Sequence, residues 1–188
     1  MEAHVVAPMK PLRQQLTWWA LAFPLVMVVA LARHDLDVLN FIHVLSGTLW
    51  TGADLFLAFV LGPVMRALDI RTRTALIAYL VPRMLLYFPM VALTTGTAGW
   101  YLPDWLGFVD PAYAKYAWIF AALVLVTVMT IVGLGFLLPN NLRMWFELRK
   151  PAPDRERIVR INRINIWLAG FQGVMQVVII VTMARLVM

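Results

Sequence analysis

The stretch YAWIFAALVLVTVMTIVGLGFLL (116–138) carries no charged residue, and its reading decides the fold. At ~1.5 Å of rise per residue, a helix of this length crosses the ~30 Å hydrocarbon core of a bilayer. It lacks the alternation of a barrel strand, and in lipid only helices or closed barrels satisfy every backbone N–H and C=O. Four more apolar runs accompany it, at 16–32, 38–64, 75–102 and 164–186. Inside them the charges are few: Asp54 in the second run, Arg83 in the third and Arg185 at the far end of the last. The chain therefore reads as an all-α integral membrane bundle of five transmembrane helices, one domain over 1–188. The first run follows Lys10 and Arg13 and ends in Ala30-Leu31-Ala32, which also fits a cleavable signal peptide. It is longer than a usual signal core and is read as a retained helix.

Composition agrees. Of 188 residues 62% are hydrophobic and 14% charged, with a mean hydropathy of +0.79; soluble domains carry about 25% charged residues. A net charge of +6 in a soluble protein would suggest nucleic acid. Here 13 of the 16 Lys and Arg gather on the N-terminal segment, on 66–83 and on 140–163, leaving Arg33, Lys115 and Arg185 opposite. They are read as topology signals beside anionic headgroups, with no nucleic-acid partner. The positive-inside rule then puts the N-terminus and both basic loops in the cytoplasm and the C-terminus outside, the setting of a bacterial inner membrane. The basic segment 145–163 is expected to break at Pro151 and Pro153 and restart before the last helix. On the other side WYLPDWLGFVDPAYAKYAW (100–118) has the Trp and Tyr content of an interfacial belt. The chain has no cysteine, which excludes disulfides, thiolate-held iron–sulfur or zinc sites and covalently attached c-type haem.

Ionisable groups in lipid are costly, so each needs a partner or a task. With Thr51 as the middle of its helix, Asp54 lies about 4–5 Å toward the cytoplasm, and Arg83, measured from Phe88, about 7–8 Å toward the same side. Gln172 and Gln176 share a face of the last helix, Asn165 continues that stripe, and Gly170 and Gly173 permit close packing. These positions predict a buried cluster of Asp54, Arg83, Gln172 and Gln176. Its role is a structural ion pair, a proton path or a cavity for a polar head group. If Arg83 instead reaches outward to the interface, Asp54 is left neutral or watered.

His43, Gly47, Trp50 and Asp54 follow spacings of four, three and four, so they share one helix face. His43 lies ~12 Å above the midplane and ~16 Å from Asp54 along the axis, too far for a direct pair. A histidine one turn from a glycine suits a flat macrocycle, and Met183 falls at a similar height on the last helix; His with Met is a known axial pair for haem. A hydrogen-bonded packing histidine is the competing reading.

FIHVLSGTLWTGADLFLAFVLGPVMR (41–66) resembles the first conserved helix of the CopD-like and HemJ-like membrane proteins, through His43, Trp50, Gly52, Pro63 and Arg66. PRMLLYFPMVALTTGTAGWYL (82–102) is similar to their next helix, and AKYAWIFAALVLV (114–126) to the one opening with a lysine, here Lys115. The resemblance spans about 40–188 and implies a four-helix core with an added N-terminal helix. It also implies a b-type haem, with His43 and Lys115 as the functional pair for porphyrin oxidation. The acidic motif expected before the last helix reads Arg163-Ile164-Asn165 here.

The resulting expectation is a haem b protein of electron transfer or porphyrin oxidation. His43 would be the metal ligand, with Met183 or Lys115 as the opposite ligand or a substrate contact, Gly47 and Trp50 would line the cofactor, and Asp54 with Arg83 would neutralise charge or move protons. Alternatives are a copper or small-solute permease using the polar cluster, and a non-catalytic subunit of a larger membrane complex or homo-oligomer. No inverted repeat favours transport, and no nucleophile–base–acid set favours hydrolysis.

Overall fold

The computed structural model describes residues 11–187; Lys10, which entered the charge reading, lies outside the described residues. After a single helical turn at Leu12–Gln15, five longer helical elements follow one another, with no strand among the described residues. They are α1 (Trp18–Arg33), α2 (Leu36–Ala67), α3 (Ile70–Trp105), α4 (Tyr116–Leu148) and α5 (Arg155–Val187). The four from α2 to α5 are long and apolar enough to cross a membrane, whereas α1 is shorter.

The shortness of α1 has a local cause. Its first turn, Trp18–Leu21, is a tight 3₁₀ turn, and the preceding Thr17 donates its hydroxyl to the Arg83 carbonyl at 2.9 Å. At the other end His34 takes a left-handed conformation, φ 50°, closing the helix. The next residue, Asp35, opens α2 by accepting the Val38 N–H at 3.0 Å, a side-chain N-cap. Asp69 does the same for α3, accepting from the N–H groups of Arg71 and Thr72. α3 ends where Gly107, φ 72°, lets Phe108 N–H reach the Pro103 carbonyl at 2.8 Å and its own N–H reach Asp104 at 3.0 Å. That pair of bonds is a Schellman closure, which requires the left-handed residue.

α2 and α4 share one device. Each widens into a single π turn, Phe56–Leu61 in α2 and Gly133–Leu137 in α4. A single residue separates each turn from a following proline, Pro63 or Pro139. A proline has no N–H to donate and its ring strikes the carbonyl four residues back. Those carbonyls belong to Phe59 and Gly135, inside the widened turns, so the wider ring relieves the collision.

α4 ends and α5 begins in a knot around Glu147. Its carboxylate meets Lys150 at 2.8 Å and Arg157 at 3.3 Å and accepts the Asp154 N–H at 3.4 Å. The helix breaks after Leu148, and the chain is helical again from Arg155, the break at Pro151 and Pro153 and the restart ahead of the apolar run at 164 that the sequence predicts.

The outward face carries many large apolar side chains: Trp167 is 74% exposed and Leu25 66%. Surface of this kind is at home against lipid. Inside, Leu39, Ile42, Trp50, Val91 and Met129 belong to one buried cluster, and Met65, Ile77, Met144 and Ile158 to a second. Between them lies the polar interior.

Candidate functional site in the bundle interior

Asp54 is 1% exposed and stands on the last α-helical turn of α2 before its π turn. α5 is drawn against it by glycine. A Cβ added at Gly173 would lie 2.8 Å from Leu55 Cδ2, and one at Gly170 3.1 Å from Ala58 Cβ. The expected small-residue packing is therefore present, and it carries Gln172 and Gln176 into the interior, both buried. Gln176 Nε2 donates to Asp54 Oδ2 at 3.2 Å. The carbonyl oxygens of both glutamines are buried without a hydrogen-bond partner. Three acceptor groups thus share one small region, the acid among them.

No cation completes the cluster. The ion pairs among the described residues are the two on Glu147. Arg83 is exposed and its Nη1 donates to the Tyr79 carbonyl. The expected Asp54–Arg83 contact is not formed, and the alternative in which Arg83 turns outward is the arrangement found. The physical reason is rotation. Val81 and Pro82, the residues just before Arg83, are the ones buried, so the arginine points away from Asp54 despite similar height. An outward arginine with a long apolar stem reaches water at little cost.

Beside Asp54 lies a cavity of about 360 Å³, bordered by Asp54, Trp50, Phe88, Trp100, Met129 and Gln172 among others. Its walls are mostly apolar, in the size class of small-molecule sites. α3 touches α4 more along Leu138–Leu148 than along Tyr116–Val132, and from α4 the cavity is bordered by residues between 129 and 141, around the π turn. Gly133, in the π turn of α4, adjoins Gln172: an added Cβ would sit 3.7 Å from Gln172 Nε2, an ordinary contact.

The inner end of the cavity has a second polar group, only partly read from the sequence. Asn165 accepts from Asn140 Nδ2 at 3.0 Å and donates to Asn141 Oδ1 at 2.9 Å; Asn141 and Asn165 are buried and border the cavity. Asn165 was visible as an extension of the glutamine stripe. The Pro-Asn-Asn sequence closing the uncharged run of 116–138 was the available signal for its partners.

His43 is placed otherwise than a haem ligand beside Gly47 requires. Its Nδ1 lies 2.9 Å from the Thr95 carbonyl. A carbonyl can only accept, so Nδ1 carries the proton and a neutral ring keeps its lone pair on Nε2. The ring packs on Gly99 of α3, where an added Cβ would lie 2.7 Å from His43 Cε1. Gly47 is covered as well, its added Cβ meeting Thr95 Cγ2 at 3.3 Å. Ser46 and Thr95 hydroxyls extend the same polar seam at 2.8 Å. His43, Gly47, Met183 and Lys115 are not among the residues bordering the cavity, whereas Trp50 and Asp54 are. Met183 is half-buried on α5, and Lys115 immediately precedes α4. The residues suit a histidine ligand in tautomer, but a macrocycle does not fit against Gly47 in this packing of α2 and α3. Among the described residues no three His, Asp or Glu side chains gather as a metal site.

Comparison with protein-family models, with curated proteins and with solved structures gave no match to this chain. The function is therefore argued from the interior itself.

Proposed function

We propose that this is a multi-pass membrane protein that holds a largely apolar molecule with a hydrogen-bond-donating head group in the cavity beside Asp54. One observation carries the reading: a fully buried acid with amide neighbours and no cation borders a cavity of about 360 Å³ with apolar walls. A donor head group would supply the partner that the Gln172 carbonyl lacks and could share Asp54 with Gln176, and the sparser packing of α3 on α4 along Tyr116–Val132 offers entry from the lipid side. The charge distribution supports an N-terminus inside and a C-terminus outside, with α1 as a fifth, shorter span that thins the bilayer locally or tilts little. A bacterial inner membrane is the setting this reading takes.

The test is chemical. The protein is purified in mild detergent, extracted, and its small molecules are compared by mass spectrometry with those of Asp54→Leu and of Ala92→Phe, which fills the cavity. A stoichiometric amphiphile present in wild type and lost from both variants is the expected result. Identical extracts from all three folded proteins would end the proposal.

A second reading keeps the CopD-like or HemJ-like resemblance, with a b-type haem on His43 in electron transfer or porphyrin oxidation. What favours it is the Thr95 carbonyl, which leaves His43 Nε2 as the nitrogen with a free lone pair. It requires α2 and α3 to part at Gly99. A visible spectrum before and after dithionite decides: a Soret band lost in His43→Ala supports it, and a featureless spectrum of folded protein removes it.

A further inference from the structure

The inner end of α2 crosses α5 closely: a Cβ at Gly62 would lie 2.9 Å from Ile166 Cγ2. The crossing leaves a shallow groove of about 20 Å³ whose borders include Arg66, Arg73, Arg163, Asn162 and Trp167. Three guanidinium side chains from three different helices thus face one groove, and no acid borders it. The ion pairs of the described residues both involve Glu147, so none of the three arginines lies within 4.0 Å of a described carboxylate. Arg73 is held in place by donating Nη2 to the carbonyls of Arg66 at 3.0 Å and Leu68 at 2.9 Å. Its Nε is buried without a partner. One arginine is therefore pinned with unspent donor capacity, and Arg66 and Arg163 are exposed beside it.

The location narrows the ligand. The groove sits where α2 ends at Ala67 and α3 begins at Ile70, the level at which an apolar helix meets water. Trp167 on its rim is 74% exposed, in the manner of an interfacial aromatic. Like charges crowd together stably only when an anion is shared among them, and guanidinium groups match phosphate oxygens in bidentate geometry. We infer that this groove is a binding site for the phosphate of an anionic phospholipid, its acyl chains running along the apolar faces of α2 and α5. The site is separate from the ligand proposed for the interior.

Native mass spectrometry of delipidated protein in mild detergent tests this, with phosphatidylglycerol, phosphatidylcholine and inorganic phosphate as probes. Phosphatidylglycerol is expected to bind in preference to phosphatidylcholine and to persist against millimolar inorganic phosphate. Arg66→Gln with Arg163→Gln removes two exposed cations, leaves the helix-capping Arg73 in place, and is expected to weaken phosphatidylglycerol binding roughly 30-fold. Lysine at both positions restores part of it. Arg149→Gln with Arg155→Gln, outside the groove, leaves binding unchanged. Equal binding of the two lipids, or an unaltered glutamine variant, overturns the proposal. Displacement of the lipid by inorganic phosphate overturns it in favour of a free-phosphate site.

Discussion

Gly99→Ala is the perturbation that most directly tests how α2 and α3 meet. The new methyl would lie 2.7 Å from His43 Cε1 and 3.2 Å from Nδ1, against an ordinary carbon contact of about 3.5–4.0 Å. The ring cannot simply slide away, because Nδ1 is tied to the Thr95 carbonyl at 2.9 Å. Relief means moving the helix or giving up that bond. Overpacking of this sort costs about 1–3 kcal/mol, and an interhelical hydrogen bond in a membrane about 0.6–1.7 kcal/mol. Replacing glycine by alanine in a helix returns up to about 1 kcal/mol. The net expectation is destabilisation by about 1–3 kcal/mol. Gly52→Ala is the control: nothing lies within 4 Å of its added Cβ, so only the backbone gain of about 0.5–1 kcal/mol remains. Stability is read by titrating SDS into mixed micelles and following tryptophan fluorescence. Adding His43→Ala to Gly99→Ala removes the collision, so a double-mutant cycle should give a coupling above about 1 kcal/mol. If Gly99→Ala is as stable as Gly52→Ala, or the cycle is additive, the packing argument for His43 fails.

Three further outcomes follow from the same geometry. Arg83→Gln should change stability by no more than about 0.5 kcal/mol, the range of surface substitutions; a loss of about 3–5 kcal/mol in the same SDS titration would mean that it pairs with Asp54 after all. Asn165→Leu leaves Asn141 Oδ1 buried without its donor, with an expected cost of about 1–3 kcal/mol, checked against Asn162→Leu, which breaks none of the hydrogen bonds described for that triad. The Thr72 hydroxyl, then the N–H groups of Thr72 and Arg71, hold the Asp69 carboxyl below its ordinary value of 3.8. Because the folded value is the lower one, its contribution to stability is present above the unfolded value and lost as pH falls through the folded value. Asp69→Ala should therefore lower stability at neutral pH and flatten this part of the acid dependence, and parallel curves for the two proteins would count against the cap.

Helix identity was legible because it depends on local composition. The uncharged run at 116–138 needs only its own residues to read as a span; Asp35 and Asp69, which cap α2 and α3, and Gly107, which closes α3, act as locally but were not read from the sequence. Gly170 and Gly173 could be read as a contact face for the same reason, since small residues one turn apart have few other uses in lipid. Even the outcome for Arg83 was contained in the alternatives, because a long side chain near the interface has two stable directions.

What the sequence by itself determined is the class of the molecule: long apolar helices, polar residues at known heights, and a basic side and a sparse side. Tertiary structure decided which of those polar residues meet. Height along a helix follows from counting residues, but the direction a side chain faces depends on neighbouring helices. Thus Asp54 and Arg83, close in height, point apart, while Gln176 of α5 reaches Asp54 from far along the chain. His43 finds Gly99 on another helix, not the Gly47 one turn away on its own, because its own helix presents Gly47 to Thr95. The π turns at Phe56–Leu61 and Gly133–Leu137 add a further rotation that straight-helix counting omits. The cavity itself belongs to no segment: its borders come from α2, α3, α4 and α5 together, and only their packing sets it.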